Sequence, residues 1–440
     1  MPDSCNYVEF QSPDDDEMLL TRFFLRPQAP LVLYHITEPQ VTTQSMSTDS
    51  QVEGNVEFCT LGMFILDDID FGGSRPNVKS IIGGAGSYAV VGARLVAGKK
   101  HSSSVSWIVD VGSDFPTEVL GVIKSWNTNC LIREDSGRLT TRAWNGYGPN
   151  EKRDFKYLTP KLRLEPSMLS DSQVFSKTFH MVCSSSRCIT IVEDILRRRD
   201  DLWKEGKAPS ATGATKRPIF IWEPVPDLCT PEEQDRFLEA ARVVDVVSPN
   251  ELELGMMFGQ PGWTEDSEFG RDVVTRILTS GIGPESEGHL VIRAGKDGSY
   301  TFSRKERIWL PAYHQPGTSG VTAVVDPTGA GNSFLGALAQ GLISSERDPG
   351  MIISSVLAKC GDWQTITKAS AKQRDMLVAL ICATVAAGFV VEQIGVPRLT
   401  LSSEGKELWN GTEFTERVRL YTQRLYRTFE ESPRKHFRNN

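Results

Sequence analysis

The sequence predicts an α/β protein with a mostly parallel central sheet, helices on both faces and a small β lid. Three observations predict it. Short apolar runs of strand character alternate with helical patterns from Val56 to about residue 400. Two glycine-rich turns, at residues 83–86 and 329–331, each open a helix. Residues 133–157 are polar, carry Gly137, Gly146 and Gly148, and read as a hairpin or flap over a site.

The elements follow in order. Residues 1–55 read as an N-terminal extension, with a Ser-, Thr- and Gln-rich loop or linker at 39–54. "FCTLGMFILDDIDF" reads as one buried strand ending in acidic residues. "KSIIGGAGSYAVVGARLVAGKK" reads as strand or turn, glycine loop, helix, and "SSVSWIVDVGSD" as a strand and loop. "HMVCSSS" and "RPIFIWEP" are short buried strands around a helix from Ile189 to Asp201. "VVDVVSPN" is a strand with a polar tip, "GHLVIRAGKDGSYTF" a strand, turn and strand, and "VTAVV" a strand leading into the second glycine turn. "MLVALICATVAAGFVVEQIG" is a long apolar helix, assigned to the core because Gly388 interrupts it within an α/β pattern. Residues 401–440 form a C-terminal helical extension, in which Val418, Tyr421, Leu425 and Phe429 share one helical face.

Composition narrows the function. A chain of 440 residues with 39% hydrophobic and 24% charged residues builds a sizeable core, which excludes disordered and fibrous classes. The net charge of −8 argues against nucleic acid as the main partner. The acidic start has neither the basic nor the apolar region of a signal peptide, and no membrane anchor is expected. The 8 cysteines are scattered without a Cys-x-x-Cys pair, which argues for reduced thiols, a cytoplasmic location and no structural zinc.

The strongest chemical signal is Asp326-Pro327-Thr328-Gly329-Ala330-Gly331-Asn332-Ser333, at the start of the helix "SFLGALAQGL". Small residues there let successive backbone N–H groups converge, and the helix N-terminus adds partial positive charge. Together these make an anion site suited to a phosphoryl group. The second signal is Gly83-Gly84-Ala85-Gly86-Ser87-Tyr88-Ala89. Alone it also fits a dinucleotide-binding loop, with Asp110 ending a strand 24 residues after Gly86, so an oxidoreductase is a rival reading.

These motifs resemble the PfkB, or ribokinase-like, carbohydrate kinases, whose hallmark is Asp-Thr-x-Gly-Ala-Gly-Asp. The nearest branch suggested is the fungal one similar to the yeast maintenance-of-killer protein. The resemblance covers residues 56–400 and implies a ribokinase-like fold, with ATP and Mg²⁺ as cofactors and a small-molecule hydroxyl acceptor. Asp326 matches the first acid, and Gly329, Ala330 and Gly331 match the anion hole. Two departures stand out: Pro327-Thr328 replaces the usual Thr-x order, and Asn332 occupies the place of the catalytic Asp. Gly83 and Gly84 match the substrate loop, where Tyr88 replaces an Asn, which implies a different or stacking substrate. Asp67, five residues after Gly62, matches the hydroxyl-binding acid, with Asp68 and Asp70 as neighbouring alternatives; Val111-Gly112-Ser113-Asp114 matches a structural turn.

Asn250 and Glu253 match the Asn-x-x-Glu motif whose Glu helps to place hydrated Mg²⁺; they also read as a helix N-cap and an acid in the first turn. Gly295 and Gly298 match the nucleotide turn, in which Arg293 replaces a Thr. Small residues around Ala386 would border the adenine.

A neutral Asn332 cannot take a proton from the acceptor, and losing a general base costs on the order of 10²–10⁴-fold. Phosphoryl transfer depends mostly on positioning and electrostatics, so the surviving anion hole keeps catalysis open. Three readings therefore stand. One is a kinase acting on a sugar, nucleoside or related metabolite, and the second a nucleotide- or metabolite-binding pseudokinase that acts through protein partners. The third is the oxidoreductase. A homodimer through the lid is a further partner expectation.

Overall fold

The computed structural model describes residues 55–73, 76–147, 153–209, 216–315, 323–359, 371–431 and 437–438. The expected N-terminal extension lies outside these residues, apart from Asn55.

A ten-stranded sheet runs through the protein. Seven strands are parallel, in the order His289–Arg293, Val246–Val247, Ile219–Pro224, Thr178–Cys183, Phe58–Thr60, Val105–Gly112 and Asn129–Asp135. Ser299–Phe302, Arg307–Leu310 and Phe437–Arg438 extend the first edge in antiparallel fashion. The parallel strands are apolar on both faces because helices cover both. Ala85–Ala97, Ala330–Gly341, Ala371–Val390 and Phe414–Glu431 contribute to one core, and Ser185–Lys204, Gln234–Ala241 and Glu268–Ser280 to the other.

A separate four-stranded sheet forms the lid, in the order Val78–Gly83, Ile65–Asp70, Arg142–Tyr147 and Arg153–Tyr157. The apolar run expected as one strand is thus two. Phe58–Thr60 belongs to the main sheet and Ile65–Asp70 to the lid, with Leu61–Phe64 carrying the chain between them. The polar flap divides as well: Asn129–Asp135 is an edge strand of the main sheet, and the two segments after it are the lid hairpin. No strand leads into the second glycine turn within its described part. Val324 and Val325 are exposed there, and the Val325 and Asp326 N–H groups both donate to the Val391 carbonyl.

The helices Ala85–Ala97 and Ala330–Gly341 cross at backbone contact. A Cβ on Gly336 would lie 1.8 Å from the Ala89 carbonyl oxygen, and one on Gly92 1.9 Å from that of Ser333. The crossing therefore fixes both glycine turns against each other, since each turn opens one of these helices.

The helix Ala371–Val390 is long and apolar enough to cross a membrane, but most of its residues are buried in the core, as expected. In the C-terminal helix Phe414–Glu431, Val418, Tyr421 and Leu425 are buried, and the Tyr421 hydroxyl donates to the Pro311 carbonyl at 2.6 Å. The Phe429 side chain lies outside the described set. A hairpin, Leu399–Leu401 with Glu407–Trp409, precedes this helix, and its Glu407 pairs with the fully buried Arg94.

Candidate functional site

The second glycine turn is built by its own residues. Asp326 is buried, and its Oδ1 accepts the Thr328 N–H at 2.9 Å, closing a local turn. Gly329 caps the next helix at φ 78°, a left-handed conformation that favours glycine. The Ala330 N–H is used within the turn, on the Pro327 carbonyl, and that of Ser333 on Gly329. The Gly331 and Asn332 N–H groups have no backbone acceptor among the described residues, so they are the donors open to an anion.

Below this turn lies a buried polar network. Asn332 Nδ2 donates to Glu223 Oε2 at 2.6 Å. Glu223 Oε1 pairs with Arg293 Nη2 at 2.7 Å. Arg293 Nη2 also donates to the Ser248 carbonyl at 3.0 Å and reaches Glu253 Oε2 at 3.4 Å. Asn250 caps the helix Glu251–Met257 in a reciprocal box: its Oδ1 accepts the Glu253 N–H, and its N–H donates to Glu253 Oε2, both at 2.8 Å. Asn332, Asn250 and Glu253, assigned separately from the sequence, are thereby joined through Glu223 and Arg293.

The electrostatics follow from burial and charge. Burial pushes the Glu253 carboxyl up to about 7, with Arg293 opposing the rise and Glu223 adding to it. Burial works against the Arg293 charge, but Glu223 and Glu253 more than offset it and raise its pKa above the usual value. His180 beneath them is neutral: burial, and then the Arg293 charge, lower it to about 3, and its Nδ1 pairs with Thr60 Oγ1 at 2.9 Å.

On the lid side, Asp67 and the first glycine loop come together. A Cβ on Gly83 would lie 1.9 Å from Asp67 Oδ2, so the carboxylate rests directly on this glycine. Gly84 caps the helix Ala85–Ala97 at φ 83°. Burial raises the Asp67 carboxyl to about 7; the Asn145 amide opposes this, and the Asp68 and Asp326 charges add to it. The neighbouring acids have other roles. Asp68 accepts the Ser80 N–H and pairs with Arg142, and Asp70 accepts the Gly72 N–H. Asp114 accepts the Thr140 N–H at 2.7 Å, the structural role expected of its turn. Tyr88 is buried, and its ring lies on Gly329, where a Cβ would meet three ring carbons at 2.3 Å. In this conformation the ring packs on the anion turn rather than facing open space.

A cavity of about 710 Å³ joins three of the predicted segments. Gly295 and Gly298 line one part, Ala330 and Gly331 another, and Thr384, Ala387 and Gly388 a third, with Arg293 and Lys296 among them. Ala386 does not line it. It points into the core, fully buried, because one residue turns a helix by about 100°. The wall expected at Ala386 is made by Ala387 and Gly388.

The dinucleotide reading of the first glycine loop does not hold. The strand before it, Val78–Gly83, pairs antiparallel in the lid, whereas a dinucleotide fingerprint follows a parallel strand. Asp110 is held by Arg133 Nε and Nη2 at 2.7 and 2.8 Å.

The site fits a nucleotide better than a metal. The cavity has the size and small-residue walls of a small-molecule site, with backbone donors at the anion turn. The donor set for a divalent ion is weak. Glu253 Oε2 and Glu223 Oε1 are engaged by Arg293, and no group of three His, Cys, Asp or Glu residues able to hold a metal occurs among the described residues. Glu223, Asn145 and His180 were not singled out from the sequence. The one local signal for Glu223 is an acid beside a proline at the end of a buried strand.

Comparison with known proteins agrees with the geometry. The profile described as pfkB family carbohydrate kinase matches residues 213–396. An uncharacterized protein of Schizosaccharomyces pombe is 33% identical over 386 residues, covering 84% of this chain and 94% of its own. The protein MAK32 of Saccharomyces cerevisiae is 32% identical over 391 residues, covering 86% and 94%. Among solved structures, ribokinase from Giardia lamblia matches with a TM-score of 0.54 and 20% identity, over 86% of this chain and 100% of that one. A probable sugar kinase from Rhizobium etli matches at 0.55 and 15%, over 83% and 98%. Arabidopsis thaliana ribokinase, solved with ribose and ATP, matches at 0.52 and 16%, over 84% and 99%. The motif order, the lid over a parallel sheet and these relatives lead to one conclusion: the chain belongs to the pfkB family of carbohydrate kinases.

Proposed function

We propose that this protein binds an adenine nucleotide in the 710 Å³ cavity, that its phosphoryl transfer is silenced or strongly slowed, and that it acts through protein partners. The observation that carries this reading is the bond from Asn332 to Glu223. A neutral amide stands where the family has its base, and the nearest carboxylate is already held by Arg293. Loss of a positioned base alone costs on the order of 10²–10⁴-fold. The nucleotide part rests on the cavity wall at Ala387 and Gly388, the Gly295–Gly298 turn, and the Gly331 and Asn332 N–H groups at a helix N-terminus. The base and ribose would lie toward the first two, the phosphates toward the third.

A second reading has its own observation. Asp67 is buried, rests on Gly83 and has its carboxyl raised to about 7. At neutral pH such a group can both accept a hydrogen bond from a metabolite hydroxyl and take up a proton. This favours a kinase acting on a sugar, nucleoside or related metabolite.

The test is ATP binding together with ADP production against a panel of sugars, nucleosides and hydroxylated vitamins. Binding is expected, with ADP formation absent or at least about 10²-fold below the roughly 1–100 per second of working kinases. Turnover at that working rate with one acceptor selects the kinase reading, and absence of ATP binding overturns both.

A further inference from the structure

We propose that Arg293 takes the place that a divalent metal holds beside the phosphates, so that this protein binds its nucleotide without a metal ion. The inference rests on the nucleotide-binding reading above.

Four observations carry it. First, Arg293 stands at the anion turn itself: a Cβ on Gly331 would lie 2.0 Å from Arg293 Nη1, so the guanidinium edge lies against that glycine. Second, Arg293 lines the cavity, its side chain 12% exposed, so it is buried against the protein and open on one side. Third, its donors are divided. Nη2 is bound by Glu223, Glu253 and the Ser248 carbonyl, while neither Nη1 nor the buried Nε has a hydrogen-bond acceptor among the described residues. A guanidinium held in place by one nitrogen and with donors to spare suits a phosphate oxygen. Fourth, the acids that a metal would need are the ones Arg293 occupies. Glu253, the family's metal-placing acid, pairs with it and with the Asn250 N–H, and Glu223 pairs with it and with Asn332. A dication placed among them would be repelled by the guanidinium and would have to displace it from both partners. Lys296, in the same wall, adds a second cation.

The chemical consequence concerns the ligand. A metal-coordinating triphosphate is not required, and the free nucleotide, di- or triphosphate, is the species recognised. Arg293 is fixed on a strand end and Gly331 on a helix start, so this recognition is built into two rigid elements.

The experiment is calorimetric titration of ATP into the full chain in excess EDTA and, separately, in excess MgCl₂, with Arg293→Lys run beside the wild type. Arg293→Lys retains a cation between the two glutamates, which guards the fold, and circular dichroism checks it. The expected result is a dissociation constant in EDTA within about threefold of that in MgCl₂, and at least about tenfold weaker binding by Arg293→Lys in EDTA. Binding confined to MgCl₂, or more than about tenfold tighter there, overturns the inference and leaves the nucleotide reading standing. Equal binding by Arg293→Lys and wild type removes Arg293 from the role. No binding under either condition overturns the nucleotide reading together with the inference.

Discussion

Asn332 and Glu223 lie 109 residues apart in the chain and share a 2.6 Å hydrogen bond beneath the anion turn. The amide nitrogen is the donor, so Asn332 serves as a fixed strut between the helix Ala330–Gly341 and the end of the strand Ile219–Pro224. An Asp at this position would face a second carboxylate at contact distance. The exchange of Asp for Asn is therefore matched by its surroundings.

Asn332→Asp is accordingly expected to cost stability, about 1–3 kcal/mol at neutral pH, because two carboxyls in contact cannot both ionise. It is not expected to restore turnover. Adding Glu223→Gln should recover most of the loss. Urea unfolding of the single and double variants checks this, and a neutral or stabilising single variant would contradict it.

Arg293→Ala leaves Glu223 and Glu253 buried without their cation. Breaking such a network by removing one partner costs about 3–5 kcal/mol. The loss should shrink at lower pH, where Glu253, raised to about 7, takes up a proton. Denaturant curves at pH 8 and pH 5.5 read both effects.

Asp67 gives a signed pH dependence. Its folded carboxyl is raised to about 7 against an ordinary value near 3.8, so the native state holds the proton that the unfolded chain has released. Its contribution is fully present below about pH 4 and is lost as pH rises to about 7, by at most about 4 kcal/mol for a shift of this size. Asp67→Asn should flatten stability across this window and exceed wild type at pH 8. Thermal unfolding between pH 4 and pH 8 measures the difference.

The two glycines of the anion turn should fail for different reasons. In Gly329→Ala the new Cβ meets the Tyr88 ring at a positive φ, and in Gly331→Ala it meets Arg293 Nη1. Each is expected to cost about 1–3 kcal/mol and to weaken ATP binding at least about tenfold. Adding Gly329→Ala to a Tyr88→Ala background should carry the φ cost without the clash, read as the difference in unfolding midpoint between that pair and Tyr88→Ala alone.

Much of this was legible in the chain because local backbone demands leave local signs. The turn at Asp326–Gly331 announced itself through small residues placed directly before a helix. The pairing of Asn250 with Glu253 was legible as a cap, and the cap is continuous with the polar network around Arg293. The strand alternation gave the parallel sheet, but it merged Phe58–Thr60 with Ile65–Asp70, since an apolar run does not reveal that the chain changes sheets at Leu61. Ala386 lies one residue from the cavity wall, which on a helix is the difference between a wall residue and a core residue. Glu223 and Arg293 show the limit. Their partnership spans sequence separations that no window covers, and only the sheet order, which brings the strand ends Ile219–Pro224 and His289–Arg293 to the same edge, makes it visible.

On the proposed reading, nucleotide is held and consumed slowly or not at all. The most direct measurement is equilibrium binding of ATP to the full chain, with the nucleotide recovered and analysed after prolonged incubation with a mixed panel of hydroxyl acceptors. One ATP bound per chain is expected, with ADP formed at least about 10²-fold more slowly than by working kinases, or not at all. Recovery of ADP at a rate approaching the roughly 1–100 per second of working kinases, or the absence of any bound nucleotide, would contradict it.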